Sequence, residues 1–290
     1  MENGVTFIDT AAMYGDGRTE EILGRIIKGK RDKLFIATKV HKGVDAQSIS
    51  ESIDESLSRL QTDFVDLYMI HWPVPGMRPE EIMQALNSVV EQGKARYVGC
   101  ANYPAWLFAH SNGIAARNGW APLVCNQVAY NLFERGIEVE ILPQAVAEGV
   151  AITTYRPLAE GLLTGKYQAG APLPADSRGQ ASPLVITWLS QYGEGVDRFN
   201  RFAAELGVHP AQLALAWVRY SPAVTAPIVG VSTLHHLETA LGGLGFDLTP
   251  AQYDDVTHMF DTAVKEESYQ RFPGRRFNFP RLRRKLDLLG

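Results

Sequence analysis

Short apolar, β-branched runs recur near residues 5–10, 33–40, 64–71, 95–101, 122–129, 150–155 and 226–231, separated by longer stretches of helical period. The stretches between them carry helix punctuation. TEEILGRIIKGK opens on Thr19 followed by acids, SISESIDESLSRL places apolar residues at helical intervals, and PEEIMQALNSVVEQGK opens on Pro79 and closes around Gly93. Repeated strand-helix units of this kind predict a parallel sheet with right-handed crossovers. The segment between the last two strands is the longest, and Pro172, Pro174, Ser177, Gly179, Ser182 and Pro183 mark a loop region at about 159–185 that could act as a lid.

The polar residues that end the first three strands are more telling. VTFIDTA carries Asp9, LFIATKV carries Lys39 and VDLYMIHW carries His71. An ionisable group closing an apolar run is costly to bury unless paired, so three in succession predict side chains gathered at one end of the sheet. Neighbouring strands lie about 4.8 Å apart, close enough to bring the three into one small space. Tyr14 sits in the following loop, AAMYGDGRTE, whose glycines allow a sharp turn. An ammonium near a phenol lowers its pKa, so Lys39 is expected to tune Tyr14 as an acid, with Asp9 holding Lys39 and His71 donating to a substrate oxygen. That set suits proton transfer to a carbonyl oxygen. Taken singly, each residue also has a structural explanation: Asp9 and Lys39 as a buried pair, His71 as a satisfied core histidine.

A chain of 290 residues with 46% hydrophobic content and no dividing linker fits one large domain spanning 1–290. Closing an (α/β)8 barrel takes eight strands and the count is seven. Met1 to Gly4 are all that precede the first, so the absent strand and its helix are expected at the N-terminus, unless another segment fills the gap; a barrel lacking a strand exposes two edges. The net charge of -4 gives no reason to expect nucleic acid, and no segment approaches a membrane span. Cys100 and Cys125, inside apolar runs, are read as reduced core thiols, which fits a cytoplasmic location. The basic tail at 271–290 interleaves Arg with Phe and is read as a solvated face or a partner for local acids, with a cofactor phosphate or another acidic surface as the alternative. His41, His110, His209, His235 and His258 show no ligand spacing, so no metal site is expected. Trp106, Trp120 and Trp217 are expected to pack, and Trp72 and Tyr103 to wall a substrate pocket beside His71 and Asn102.

The segments FIDTAAMYGDGRTEEILG, IATKV, DLYMIHWP, VGCANY, NQVAYN, YRPLAEGLLTGKY and PIVGVSTLHHLETAL, in this order over roughly residues 4 to 260, resemble the aldo-keto reductase superfamily. The resemblance implies an (α/β)8 TIM-type barrel, here lacking its first strand and helix at the N-terminus, that reduces aldehydes or ketones with NADPH. Asp9, Tyr14, Lys39 and His71 match the family's catalytic set, with Tyr14 as general acid. Asn102 and Gln127 match positions that hydrogen-bond the nicotinamide carboxamide, and Tyr155 the aromatic stacked on its ring. Arg156, Leu158 and Gly161 fall in the loop that resembles the pyrophosphate wrap; Gly230, Ser232 and His236 fall in the resembling site for the adenosine 2′-phosphate. Departures occur at Ala101 and Arg156, where Ser is usual, and at His236, Thr239 and Ala240 around the adenine end. The implied partner is a small carbonyl compound, with the chain a monomer or weak homo-oligomer. The alternative is a catalytically inactive relative that binds nucleotide or a protein partner.

Overall fold

The apolar runs form the strands of a parallel sheet in a computed structural model that describes residues 3–40 and 42–260. The strands are β1 (Phe7–Asp9), β2 (Phe35–Lys39), β3 (Val65–Ile70), β4 (Ala95–Ala101), β5 (Leu123–Ala129), β6 (Ala151–Tyr155) and β7 (Val224–Pro227), each paired with the next in chain order. All six pairings are parallel. β3 is buried along its whole length, the charged Asp66 included, as a strand in a sheet covered on both faces is. Among the described residues β1 and β7 each pair on one side only. The architecture is a seven-stranded curled sheet with helices, consistent with an α/β barrel-like fold. The basic tail at 271–290 lies outside the described residues.

Alternation along the strands separates two layers. Ala37, Leu67, Met69 and Cys125 pack together on one face with Phe7 and Phe35. On the other, Ile36, Tyr68 and Ile70 meet α1 (Arg18–Ile27), α2 (Ala46–Leu60) and α3 (Pro79–Glu91) through Leu23, Ile53, Ile82 and Leu86. A second core forms where α6 (Pro183–Glu205) and α7 (Pro210–Tyr220) pack on the later strands through Val196, Phe199, Leu213 and Trp217. Among the described residues no helix is long and apolar enough to cross a membrane.

Several boundaries differ from the sequence reading for local reasons. α1 starts at Arg18 behind Gly17, a left-handed residue with φ 87° and no side-chain cap, so Thr19 lies inside the helix. α3, by contrast, keeps its expected bounds, opening at Pro79 and ending at Glu91 before Gly93 turns the chain at φ 71°. β7 begins two residues early because Val224 pairs with Ile152 and the Thr225 hydroxyl accepts from the Ile152 N–H at 3.1 Å. The 159–185 region is not an open lid along its first half. Leu162 and Leu163 are fully buried and Tyr167 is 1% exposed, which anchors the 3-10 turn Ala159–Thr164 in the core. Trp217 packs as expected, donating to the Thr257 hydroxyl at 2.8 Å. Trp106 does not: it is 57% exposed, because α4 (Ala105–Asn118) buries the face of Leu107, Phe108, Ser111 and Ile114 instead.

Away from the site, Asp66 ties the early strands together. It accepts from Arg31 Nη2 at 2.7 Å, from the Ile36 N–H at 2.9 Å and from Arg96 Nη1 at 3.0 Å. Its side chain is 2% exposed, whereas Arg96 is 60% exposed and adds little. Replacing Asp66 by Ala removes the carboxylate partner of Arg31, whose guanidinium keeps only the Leu34 and Phe64 carbonyls, leaves the Ile36 amide without its acceptor, and is expected to cost about 3 kcal/mol in urea unfolding. A loss under about 1 kcal/mol would show that the cluster is not structural.

α7 is capped by a histidine. His209 Nδ1 accepts from the Ala211 N–H at 3.1 Å while the Gln212 side chain accepts from the His209 N–H at 3.2 Å. Burial, and then the charge of His235, lower the His209 pKa. The native state therefore binds fewer protons than the unfolded chain, so this contribution is present above about pH 6.5 and lost as pH falls through the lowered native value. His209→Asn, which keeps an acceptor that does not titrate, is expected to flatten the acid side of a thermal-stability profile. An unchanged profile would exclude His209 as its source.

Candidate active site

β1 and β2 end on two charges that face one another. Lys39 is fully buried, and its ammonium donates to Asp9 Oδ1 at 2.8 Å, Asp9 Oδ2 at 2.7 Å and the Thr10 carbonyl at 2.9 Å. Those three bonds use every donor the ammonium has. The Asp9 side chain is 5% exposed, so the pair is desolvated on both sides. Burial lowers the Lys39 pKa, and the Asp9 carboxylate opposes that shift. Thr10 was not among the sequence candidates, since its contribution is a backbone carbonyl with no side-chain signature.

The loop after β1 carries Tyr14 over this pair. Gly15, Asp16 and Gly17 follow at φ 59°, 52° and 87°, three successive left-handed residues that reverse the chain. The Tyr14 N–H donates to the Ala11 carbonyl at 2.9 Å, and the Tyr14 carbonyl accepts from the Thr19 N–H at 3.4 Å. Lys39 Nζ lies 5.2 Å from the centre of the Tyr14 ring. The His71 ring stands edge-on to Tyr14 at 6.1 Å and stacks on the half-buried Trp72 at 6.2 Å. Asp9, Tyr14, Lys39 and His71 are thus gathered at the C-terminal ends of β1, β2 and β3.

The electrostatics of Tyr14 run opposite to the sequence expectation. Its pKa is raised to about 12, by partial burial of a residue still 38% exposed first and by the Asp9 charge second. All three ammonium donors of Lys39 point at Asp9 and Thr10, and the carboxylate offsets the positive charge that would lower the phenol's pKa.

Later strands lock the cluster from the other side. Asn102, at φ 63°, donates from Nδ2 to the His71 carbonyl at 3.2 Å and accepts at Oδ1 from the Tyr155 hydroxyl at 2.8 Å. Gln127 Nε2 donates to Asp9 Oδ1 at 2.8 Å, a bond that leaves the amide's carbonyl oxygen unused. A non-glycine residue in the left-handed region is a strained choice that recurs at functional sites. Arg156 is another, at φ 57°, with its guanidinium 5.5 Å from the Tyr155 ring centre and paired to Glu160 at 3.3 Å and Glu134 at 3.8 Å. Leu158 accepts from the Gly161 N–H at 2.9 Å, and Gly161 turns at φ 94°.

The remaining candidates lie apart. Ser232 Oγ is 3.1 Å from His236 Nδ1 at the exposed start of α8 (Leu234–Gly242), where Thr233 caps the helix by accepting from the His236 N–H at 3.1 Å. A Cβ at Gly230 would meet no heavy atom within 4 Å, so the ground before this helix is open. Tyr103 is not a pocket wall. It is 1% exposed in the helix-sheet core, its backbone held by Asn126, which donates to the Tyr103 carbonyl at 2.8 Å. Cys100 and Cys125 are buried free thiols, and burial raises both pKa values, Cys125 to about 11. Among the described residues no cluster of three or more His, Cys, Asp or Glu is arranged to hold a metal ion.

The sequence model of the Aldo/keto reductase family matches residues 1–260. The chain is 33% identical over 279 residues to the versiconal hemiacetal acetate reductase of Aspergillus parasiticus, covering 86% of this chain and 81% of that protein. It is 30% identical over 279 residues to the aldo-keto reductase YhdN of Bacillus subtilis, covering 92% and 82%. It is also 33% identical over 288 residues to a probable voltage-gated potassium channel subunit beta of Arabidopsis thaliana, covering 93% and 88%. With the match spanning the described sheet and the cluster at its C-terminal end, the chain belongs to the aldo/keto reductase family, whose members generally use NAD(P)H.

Proposed function

We propose that this chain reduces an aldehyde or ketone to an alcohol with NADPH, Tyr14 protonating the carbonyl oxygen as hydride reaches the carbon. The observation that carries the reading is the convergence of Tyr14, the buried Lys39–Asp9 pair and His71 within one cluster. A phenol titrating at about 12 keeps its proton throughout the neutral range. It still gives that proton up readily to an alkoxide, whose basicity approaches that of hydroxide, the conjugate base of water with a pKa of about 15.7. His71, with its backbone carbonyl held by Asn102, is set to donate to the same oxygen and orient it.

The residues fit the nicotinamide cofactor. Gln127 offers the amide carbonyl that its bond to Asp9 does not use, Asn102 the second N–H of an Nδ2 that already donates to the His71 carbonyl, and Tyr155 a ring face. Arg156, Leu158 and Gly161 would line the pyrophosphate stretch. Gly230, Ser232 and His236 would take the adenosine 2′-phosphate at the start of α8, where backbone amides favour an anion. The cofactor, when bound, supplies the hydride; the chain supplies placement and the proton. The substrate is a small carbonyl compound, with Trp72 beside it. In this reading neither nucleic acid nor membrane is a partner, the chain is a monomer or weak homo-oligomer, and its free thiols suit the cytoplasm.

A second reading, a nucleotide- or partner-binding protein without catalysis, is supported by the relatives named as probable potassium channel beta subunits. NADPH oxidation with a reactive aromatic aldehyde separates the two. Tyr14→Phe is expected to lower kcat by about 10²–10⁴-fold with cofactor affinity within about twofold of wild type. Equal rates in both proteins would remove Tyr14 from the mechanism, and binding without turnover across varied carbonyls would favour the second reading.

A further inference from the structure

We propose that Glu20 is a positioning residue: its buried carboxylate fastens the helix that follows the Tyr14 loop to the strand that carries Lys39, and so fixes the phenol over the ammonium. Glu20 is fully buried in the first turn of α1, while Arg18, Thr19 and Glu21 around it are exposed. Its two oxygens are both taken. The Thr38 hydroxyl donates to Oε1 at 2.6 Å, and Arg59 Nε donates to Oε2 at 2.7 Å. Thr38 is itself fully buried and precedes Lys39 in β2, so strand alternation turns Thr38 toward the helices and Lys39 toward the Asp9 carboxylate.

The contacts on either side of Glu20 transmit that anchoring to Tyr14. One residue earlier, the Thr19 N–H donates to the Tyr14 carbonyl at 3.4 Å, so the loop hangs directly from the first turn of α1. Arg59 runs beneath the loop's exit: a Cβ at Gly17 would meet Arg59 Cδ at 2.6 Å. One turn on, a Cβ at Gly24 would meet the Arg59 carbonyl oxygen at 2.6 Å, so α1 rests on the end of α2 backbone to backbone. An aliphatic residue at 20 would pack the helix-sheet layer without the cost of burying a charge, and such pairs are better suited to setting register than to adding stability. The Glu20 charge also reaches Lys39, where it opposes the lowering of the ammonium's pKa by burial.

The kinetic consequence rests on the reductase reading, whereas the anchoring itself does not, so the test has two arms on the full chain. Thr38→Val removes only the hydroxyl that Glu20 accepts from, and Thr38→Ser keeps it. In steady-state NADPH oxidation, Thr38→Val is expected to lose about tenfold in kcat with cofactor Kd within about twofold, and Thr38→Ser to restore it. In hydrogen exchange, amides across 10–19 are expected to exchange about tenfold faster in Thr38→Val than in wild type or Thr38→Ser, with 95–101 unchanged. Unaltered exchange at 10–19, or a kcat loss matched by lost cofactor binding or shared by Thr38→Ser, would overturn the proposal. Absence of turnover in the wild type would count against the reductase reading alone, since the exchange arm still decides the role of Glu20.

Discussion

A fully buried ammonium is tolerable only where its donors and its charge are answered, and the Lys39–Asp9 pair is the constraint around which this site is built. Breaking such a pair leaves an uncompensated buried charge, a penalty of about 3–5 kcal/mol. The pair draws the ends of β1 and β2 together, recruits the Thr10 carbonyl and, through Gln127, reaches across to β5. Asn102 then links β4 to His71 on one side and to Tyr155 of β6 on the other. Five strand ends beyond β2 itself are thereby tied to one cluster, which a scaffold with short, stiff strands can hold in place.

The same pair explains why Tyr14 behaves as it does. An ammonium committed to a carboxylate presents little net positive field, and the phenol above it responds to burial and to the carboxylate. With a pKa raised to about 12, the phenol keeps its proton across the neutral range. For proton delivery to an oxygen that becomes basic only during reaction, that is a workable arrangement, because the donor stays loaded at neutral pH.

Much of this was legible in the sequence, and the failures have physical reasons. β2 to β6 were readable because β-branched runs bounded by helix signals leave little ambiguity. The gathering of these side chains was readable because Asp9, Lys39 and His71 are polar residues that close apolar runs. β7 slipped because its pairing begins before the apolar run and is helped by a side chain, Thr225. Tyr103 was misread because Asn102 takes up φ 63°, which breaks strand alternation and sends the next side chain into the helix layer. Trp106 is placed by helix phase, since at about 100° per residue it falls outside the arc that runs from Ile114 through Ser111 to Phe108. The direction of the Tyr14 shift was beyond sequence reasoning, because nothing in the spacing reveals how many of Lys39's donors Asp9 and a backbone carbonyl consume. Glu20 went unnoticed because a carboxylate in a first helical turn normally reads as a solvated partner of the helix dipole.

Whether the buried pair organises the cluster for turnover is decided by Lys39→Met. The substitution keeps the length and apolar stem of the side chain while removing the charge. The account predicts a folded protein that still binds NADPH, with carbonyl reduction reduced by at least about 10²-fold. Wild-type turnover in Lys39→Met would contradict it.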